Sequence, residues 1–162
     1  GTGSGCIVIS LLKERPKCKA TAMDISLNAI NVAKTNAKLH QLENKINFLN
    51  IDIDKYKSYN YDLIISNPPY INSIDLKRLD DDIKFHEPML AISGGSDGFK
   101  VLKKVIIKSK KLLKINGKLI LEVGHRQNKQ CSKILYENGY YINKISKDFS
   151  GKDRCIVSTK LQ

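Results

Sequence analysis

Tyr140-Tyr141-Ile142-Asn143-Lys144-Ile145, followed after Ser146 to Arg154 by Cys155-Ile156-Val157-Ser158-Thr159, decides the architecture. Both runs are rich in Tyr, Ile, Val and Thr and read as strands. The segment between them is too short and too polar for the helical crossover a parallel pair needs, so the two must pair as an antiparallel hairpin. Working back toward the N-terminus, helix-like and strand-like segments alternate. Gln127 to Glu137 reads as a helix ending near Gly139, and Lys118 to Val123 as a buried strand entered after a stop at Asn116-Gly117. Gly98 to Leu113 carries Val101, Leu102, Val105, Ile106 and Leu112 at helical spacing. Tyr61 to Ile65 and Ile46 to Leu49 are short strands. Ser26 is the expected N-cap of a helix to about Leu39, with Ile30, Ala33 and Ala37 on one face. Cys18 to Met23 is a strand, and Cys6 to Arg15 a helix ended by Pro16. The expected fold is therefore α/β, a doubly wound and mostly parallel sheet with a C-terminal antiparallel hairpin.

The 162 residues suit one domain, spanning 1–162, with a core of its own. No apolar run approaches bilayer length, and the opening Gly1-Thr2-Gly3-Ser4-Gly5 is not a signal peptide, so a cytoplasmic protein is expected; the chain is also expected to be a monomer. The 28 Lys and Arg outnumber the 16 Asp and Glu, giving a net charge of +12. These cations are scattered, with no basic block interleaved with aromatics, so direct nucleic-acid binding is not favoured by charge alone. Cys6, Cys18, Cys131 and Cys155 form no C-x-x-C pair, and all four are read as buried, reduced, small hydrophobes. His40, His86 and His125 stand singly and demand no role, and no metal set emerges.

Gly1-x-Gly3-x-Gly5 precedes an apolar helix, where glycines permit a tight turn and close approach to a ligand. The next strand ends on Asp24, whose carboxylate suits both hydroxyls of a ribose. A nicotinamide-binding fingerprint would place a third glycine where Cys6 stands. These residues alone leave a ligand-free turn open. Asn50-Ile51-Asp52-Ile53 sits where nucleoside-binding folds of this class usually place an acidic residue and an apolar neighbour around an adenine. Asp52 would then accept from its amino group with Ile53 on the ring; alternatively Asp52 or Asp54 caps a turn.

Asn67-Pro68-Pro69-Tyr70 follows Asp62-Leu63-Ile64-Ile65-Ser66, at the carboxyl end of a buried strand, the edge where open α/β sheets bind ligands. Two prolines fix the backbone and remove two N–H donors. What remains is a pair of acceptors, the Asn67 side-chain oxygen and the Pro68 carbonyl, suited to gripping a planar –NH₂ group. Tyr70 can stack on that group or face a cationic methyl. A proline turn explains Pro68-Pro69 but not the whole tetrad at this place. Catalysis is assigned to Asn67, Pro68 and Tyr70, and acceptor binding to Asn67, Pro68, Pro69 and Tyr70.

The G-x-G-x-G spacing, the tetrad and the terminal hairpin are similar to class I methyltransferases. Glu87-Pro88-x-x-Ala91-x-x-Gly94-Gly95-x-Asp97-Gly98, Leu119 to Gly124 and Lys147 to Arg154 extend the match, and the chain resembles the HemK/PrmC family along nearly its whole length. That resemblance implies S-adenosyl-L-methionine as cofactor, S-adenosyl-L-homocysteine as product, and the glutamine of the GGQ motif in peptide-chain release factors as substrate. It implies cofactor contacts from Gly1, Thr2, Gly3, Ser4, Gly5, Asp24, Asp52, Ile53 and Asn67. Ile53 departs from relatives that often carry an aromatic there, so weaker adenine packing is expected. The family's helical domain before the glycine loop and its first strand are both missing from this chain. The expected reading is an N-terminally truncated domain, with Ala20 to Met23 and Asp62 to Ile65 flanking the place of that strand. The alternatives are an amino-methyltransferase acting on adenine or guanine in RNA or DNA, and a non-enzymatic binding domain, against which the intact tetrad argues.

Overall fold

The computed structural model describes residues 1–79 and 88–162, and the chain divides into two compact units, Gly1–Tyr56 and Lys57–Gln162. In the first, α1 (Cys6–Glu14) leads to β1 (Ala20–Asp24), α2 (Leu27–Leu39), a 3₁₀ turn (Glu43–Lys45) and β2 (Ile46–Asn50). β1 and β2 pair in parallel, Ala20 with Ile46 through Asp24 with Asn50. Ile9, Leu12, Ala22, Ala37, Leu42 and Ile46 form the core, with Val8, Ala20 and Phe48 against it. Ser26 caps α2 as expected, its Oγ accepting the Ala29 N–H at 3.3 Å, and Ile30, Ala33 and Ala37 are the buried face.

The second unit contains β3 (Tyr61–Ser66), α3 (Ser73–Lys77), α4 (Met89–Ile92), α5 (Lys100–Leu112), β4 (Leu113–Glu122), α6 (Asn128–Glu137), β5 (Tyr140–Lys147) and β6 (Asp153–Lys160). Its sheet runs β3-β4-β6-β5, parallel between β3 and β4 and antiparallel thereafter, so the terminal hairpin forms as read. α5 packs on β3 and β4, and α6 on β5 and β6. Leu102, Val105, Ile106 and Leu112 are buried along α5, while Val101 is only half-buried. At the centre of this layer Ser109 Oγ meets Tyr140 Oη at 2.8 Å and donates to the Ile106 carbonyl. Both polar groups are thereby satisfied without water.

Two expectations need correction. Asn116-Gly117 does not separate α5 from its strand: β4 already begins at Leu113 and runs through the pair. Tyr61 faces Leu113 but Leu63 faces Lys118, so two steps along β3 answer to five along β4. Asn116, at φ 64, supplies the left-handed residue that lets the extra chain bulge out while pairing resumes. The second correction concerns the thiols. Cys6 and Cys18 are exposed, Cys131 is buried and Cys155 half-buried. α1 turns Ile9 and Leu12 inward, leaving Cys6 outside, and Cys18 lies in the turn before β1 starts.

Burial pushes the Cys131 thiol up to about 12, and raises that of Cys155 as well, with Glu122 adding to it. Because the thiolate is the reactive form, Cys6 and Cys18 should react promptly with an aromatic disulfide reagent. Cys131 should react only on unfolding. Equal labelling rates at Cys131 and Cys6 would contradict this burial.

Candidate active site

Within the first unit the glycine loop is tied to the end of β1. The Gly1 and Thr2 nitrogens both donate to the Met23 carbonyl at 2.9 Å, and the Gly5 N–H donates to the Thr2 carbonyl at 3.0 Å. The Asn36 side chain holds the Ser4 carbonyl at 2.9 Å. Gly3 and Gly5 sit at φ +54 and +81, a region that L side chains enter only at a cost. Their roles differ. A Cβ on Gly3 would meet nothing within 4 Å, so the loop leaves open space there, whereas on Gly5 it would lie 3.1 Å from Ala33 Cβ. Gly5 therefore lets α1 start hard against α2.

Asp24 is 9% exposed. Its Oδ2 accepts the Gly3 N–H and its Oδ1 the Ser26 N–H, each at 2.9 Å. A carboxylate has about four lone-pair directions, so these two bonds leave capacity for a vicinal diol. Asn50 fixes the strand end from below, donating to the Asp24 and Ile25 carbonyls at 3.0 Å each. Asp52 Oδ1 accepts the Asp54 N–H at 2.9 Å, the turn-capping geometry, and Ile53 beside it is half-buried. An open glycine loop beside a fixed carboxylate is a donor and acceptor set that fits the ribose and methionine ends of a sulfonium nucleoside.

Within the second unit Asn67 follows the last residue of β3 and is exposed, with no hydrogen bond to its side chain among the described residues. Pro68 is buried, Pro69 and Tyr70 half-buried. The chain beyond is pinned. The Ile71 N–H donates to the Ile92 carbonyl at 3.1 Å and the Gly94 N–H to the Ile71 carbonyl at 2.8 Å, closing a parallel bridge between Ile71 and Ser93. A Cβ on Gly94 would lie 2.8 Å from the Tyr70 carbonyl carbon, on Gly98 2.6 Å from the Tyr70 oxygen, and on Gly124 2.7 Å from Tyr70 Cδ2. Three glycines thus wrap Tyr70. Asp97 caps the entry to α5, accepting from the Phe99 N–H and Lys103 Nζ, and that lysine bond foremost holds its carboxyl below the usual range. Arg154 donates to Asp148 at 3.0 Å, which raises its guanidinium further, with Tyr70 and Glu122 close enough to add to the effect. Glu87 and His86 lie outside the described residues; Pro88 precedes α4.

Residues 1–81, half of the chain, match the family described as methyltransferase small domain. The chain belongs to that family. It is 38% identical over 158 residues to a bifunctional methyltransferase of Rickettsia felis, covering 97% of this chain and 30% of that protein. It is 37% identical over 162 residues to a release factor glutamine methyltransferase of Fusobacterium nucleatum, covering 99% of this chain and 46% of that one. The chain therefore spans less than half the length of either relative. The fold is that of class I methyltransferases: ribosomal protein L11 methylase of Lactobacillus delbrueckii superposes over the whole chain, and 67% of its own, with a TM-score of 0.71 at 19% identity. No helix among the described residues is long and apolar enough to cross a membrane.

The methyltransferase match through residue 81 takes in both the glycine loop and the tetrad, but not the glycines that surround Tyr70. Gly98 tests whether that wrapping matters. At φ +76, an alanine there would incur a left-handed backbone cost of about 1–2 kcal/mol before meeting the Tyr70 oxygen. Gly98→Ala should lower the urea midpoint and reduce methyl transfer. An unchanged midpoint with full activity would show that the loop simply gives way.

Proposed function

We propose that this chain is the catalytic part of an S-adenosyl-L-methionine-dependent methyltransferase acting on the glutamine side-chain amide of the release-factor GGQ motif. The observation that carries this reading is Asn67, exposed at the carboxyl end of β3 with no hydrogen bond among the described residues and followed by two prolines that have no N–H. S-adenosyl-L-methionine, when bound, supplies an electrophilic methyl on a sulfonium and leaves as S-adenosyl-L-homocysteine. Asp24 would hold the ribose hydroxyls and the Gly1–Gly5 loop the methionine end. Ile53 would lie on the adenine, with Asp52 near its amino group.

An amide nitrogen is a poor nucleophile because its lone pair is delocalised. Asn67 Oδ1 and the Pro68 carbonyl would each accept one of its two hydrogens, turning the nitrogen toward the methyl and favouring pyramidalisation. As the N–C bond forms the nitrogen loses one proton to solvent, so no strong base is needed. Positioning and fixed dipoles supply the catalysis. Tyr70 would flank the planar amide. The 37% identity to a protein named release factor glutamine methyltransferase supports glutamine over a nucleobase amine, which presents the same –NH₂ geometry. The net charge of +12 leans toward a nucleic-acid substrate, but the scattered cations give it little weight. A release-factor substrate would place the reaction in the cytoplasm. Incubation with radiolabelled cofactor and release factor, RNA or DNA separates the readings. Label should enter the release factor, and label confined to nucleic acid would overturn the proposal.

A further inference from the structure

We propose that Gln127 is a positioning residue for Asn67-Pro68-Pro69-Tyr70, an inference that deepens the acceptor-gripping role given to that tetrad above and rests on it. One amide joins three segments. Gln127 Nε2 donates to the Tyr70 carbonyl at 3.0 Å and to the Gly98 carbonyl at 3.3 Å, while its Oε1 accepts the Gly124 N–H at 2.9 Å. Both ends of the side chain are therefore used, and in opposite senses, as a neutral amide with one acceptor oxygen and two N–H donors allows.

The surroundings are shaped to this side chain. A Cβ on Gly98 would lie 2.8 Å from Gln127 Nε2, and one on Gly124 2.7 Å from its Oε1. The turn that delivers it is costly. Its backbone N–H closes on the Gly124 carbonyl at 3.1 Å, and Arg126 takes φ +68, left-handed for a residue that is not glycine. Strain of this kind persists where the surroundings over-determine it.

The tetrad is a stiff strut. Its two prolines have fixed φ, and its first end is anchored where Ser66 faces Leu121 in the parallel pairing of β3 with β4. Gln127 anchors the other end at the Tyr70 peptide. With both ends held, the Pro68 carbonyl and the Asn67 side chain keep one placement. A shift of about 1 Å in a reacting geometry costs on the order of a hundredfold in rate.

The test compares Gln127→Ala and Gln127→Glu with the parent protein. Glutamate has nearly the same shape and keeps the acceptor for Gly124, but sets a carboxylate oxygen against two carbonyl oxygens. Both variants should lose kcat by about ten- to a hundredfold. KM for the protein acceptor and Kd for S-adenosylmethionine should stay within a few-fold, and the Ile71 amide resonance should shift in ¹H–¹⁵N spectra. A Gln127→Glu variant with kcat near the parent would reduce Gln127 to packing and overturn the inference. Loss of cofactor affinity and melting temperature together with kcat would overturn it too. The kcat ratio is measured on whichever acceptor the parent labels, and the resonance shift needs no acceptor at all. Labelling of RNA in place of release factor would therefore sink the substrate reading while leaving Gln127 judged on its own data.

Discussion

Asn67→Ala is expected to lower the methyl-transfer rate constant by about a hundredfold or more while changing cofactor affinity little, because one oriented polar group in such a site is worth that much. Asn67 is exposed and makes no side-chain hydrogen bond among the described residues, so its removal should cost little stability. The loss should fall on kcat, because the bond to the nucleophile's hydrogen strengthens as the nitrogen becomes positive. Asn67→Asp is the sharper variant. It keeps an acceptor but adds charge, and Asn67→Ala should be no more active than it. Single-turnover kinetics with saturating cofactor read this directly, and a rate within a few-fold of the parent would remove Asn67 from the chemistry.

Asp24→Ala should do the reverse. Its carboxylate joins Gly3 to Ser26 through two bonds of 2.9 Å, so alanine frees the glycine loop and leaves two N–H groups unpaired at a site only 9% exposed. It also removes the acceptor proposed for the ribose diol. Hydrogen bonds to a charged group contribute roughly 1.5–3 kcal/mol each, so Kd for S-adenosylmethionine should rise by about a hundredfold or more. Calorimetric titration measures it. An unchanged Kd would confine Asp24 to holding the loop.

What was legible in the sequence depended on how local the signal was. Ser26 announces α2 because an N-cap bonds to its own first turn, and the polar stretch from Ser146 to Arg154 excludes a crossover by length alone. α3 was missed although Asn72 caps it, accepting from the Ile74 and Asp75 N–H groups, a signal hidden by the brevity of the helix. β4 starts earlier than expected because Asn116-Gly117 looks like a chain stop, while in the sheet it is a bulge opposite β3. Cys6 lies outside its expected core because an apolar run does not say which side of α1 faces inward. In the candidate site, the tetrad could be found from four adjacent residues. Gln127 could not, since its partners Tyr70 and Gly98 are distant in the chain and met only through folding. The glycines at 94, 98 and 124 belong to the family pattern, yet only the folded chain brings all three around Tyr70.

The most direct measurement is tandem mass spectrometry of a peptide-chain release factor after incubation with the protein and trideuteromethyl-labelled S-adenosylmethionine. Glutamine-directed transfer predicts one labelled methyl group on the side-chain nitrogen of the GGQ glutamine, formed more slowly by about a hundredfold or more when Asn67→Ala replaces the parent. An unmodified GGQ glutamine, with the label recovered on a nucleobase amine of RNA or DNA, would contradict it.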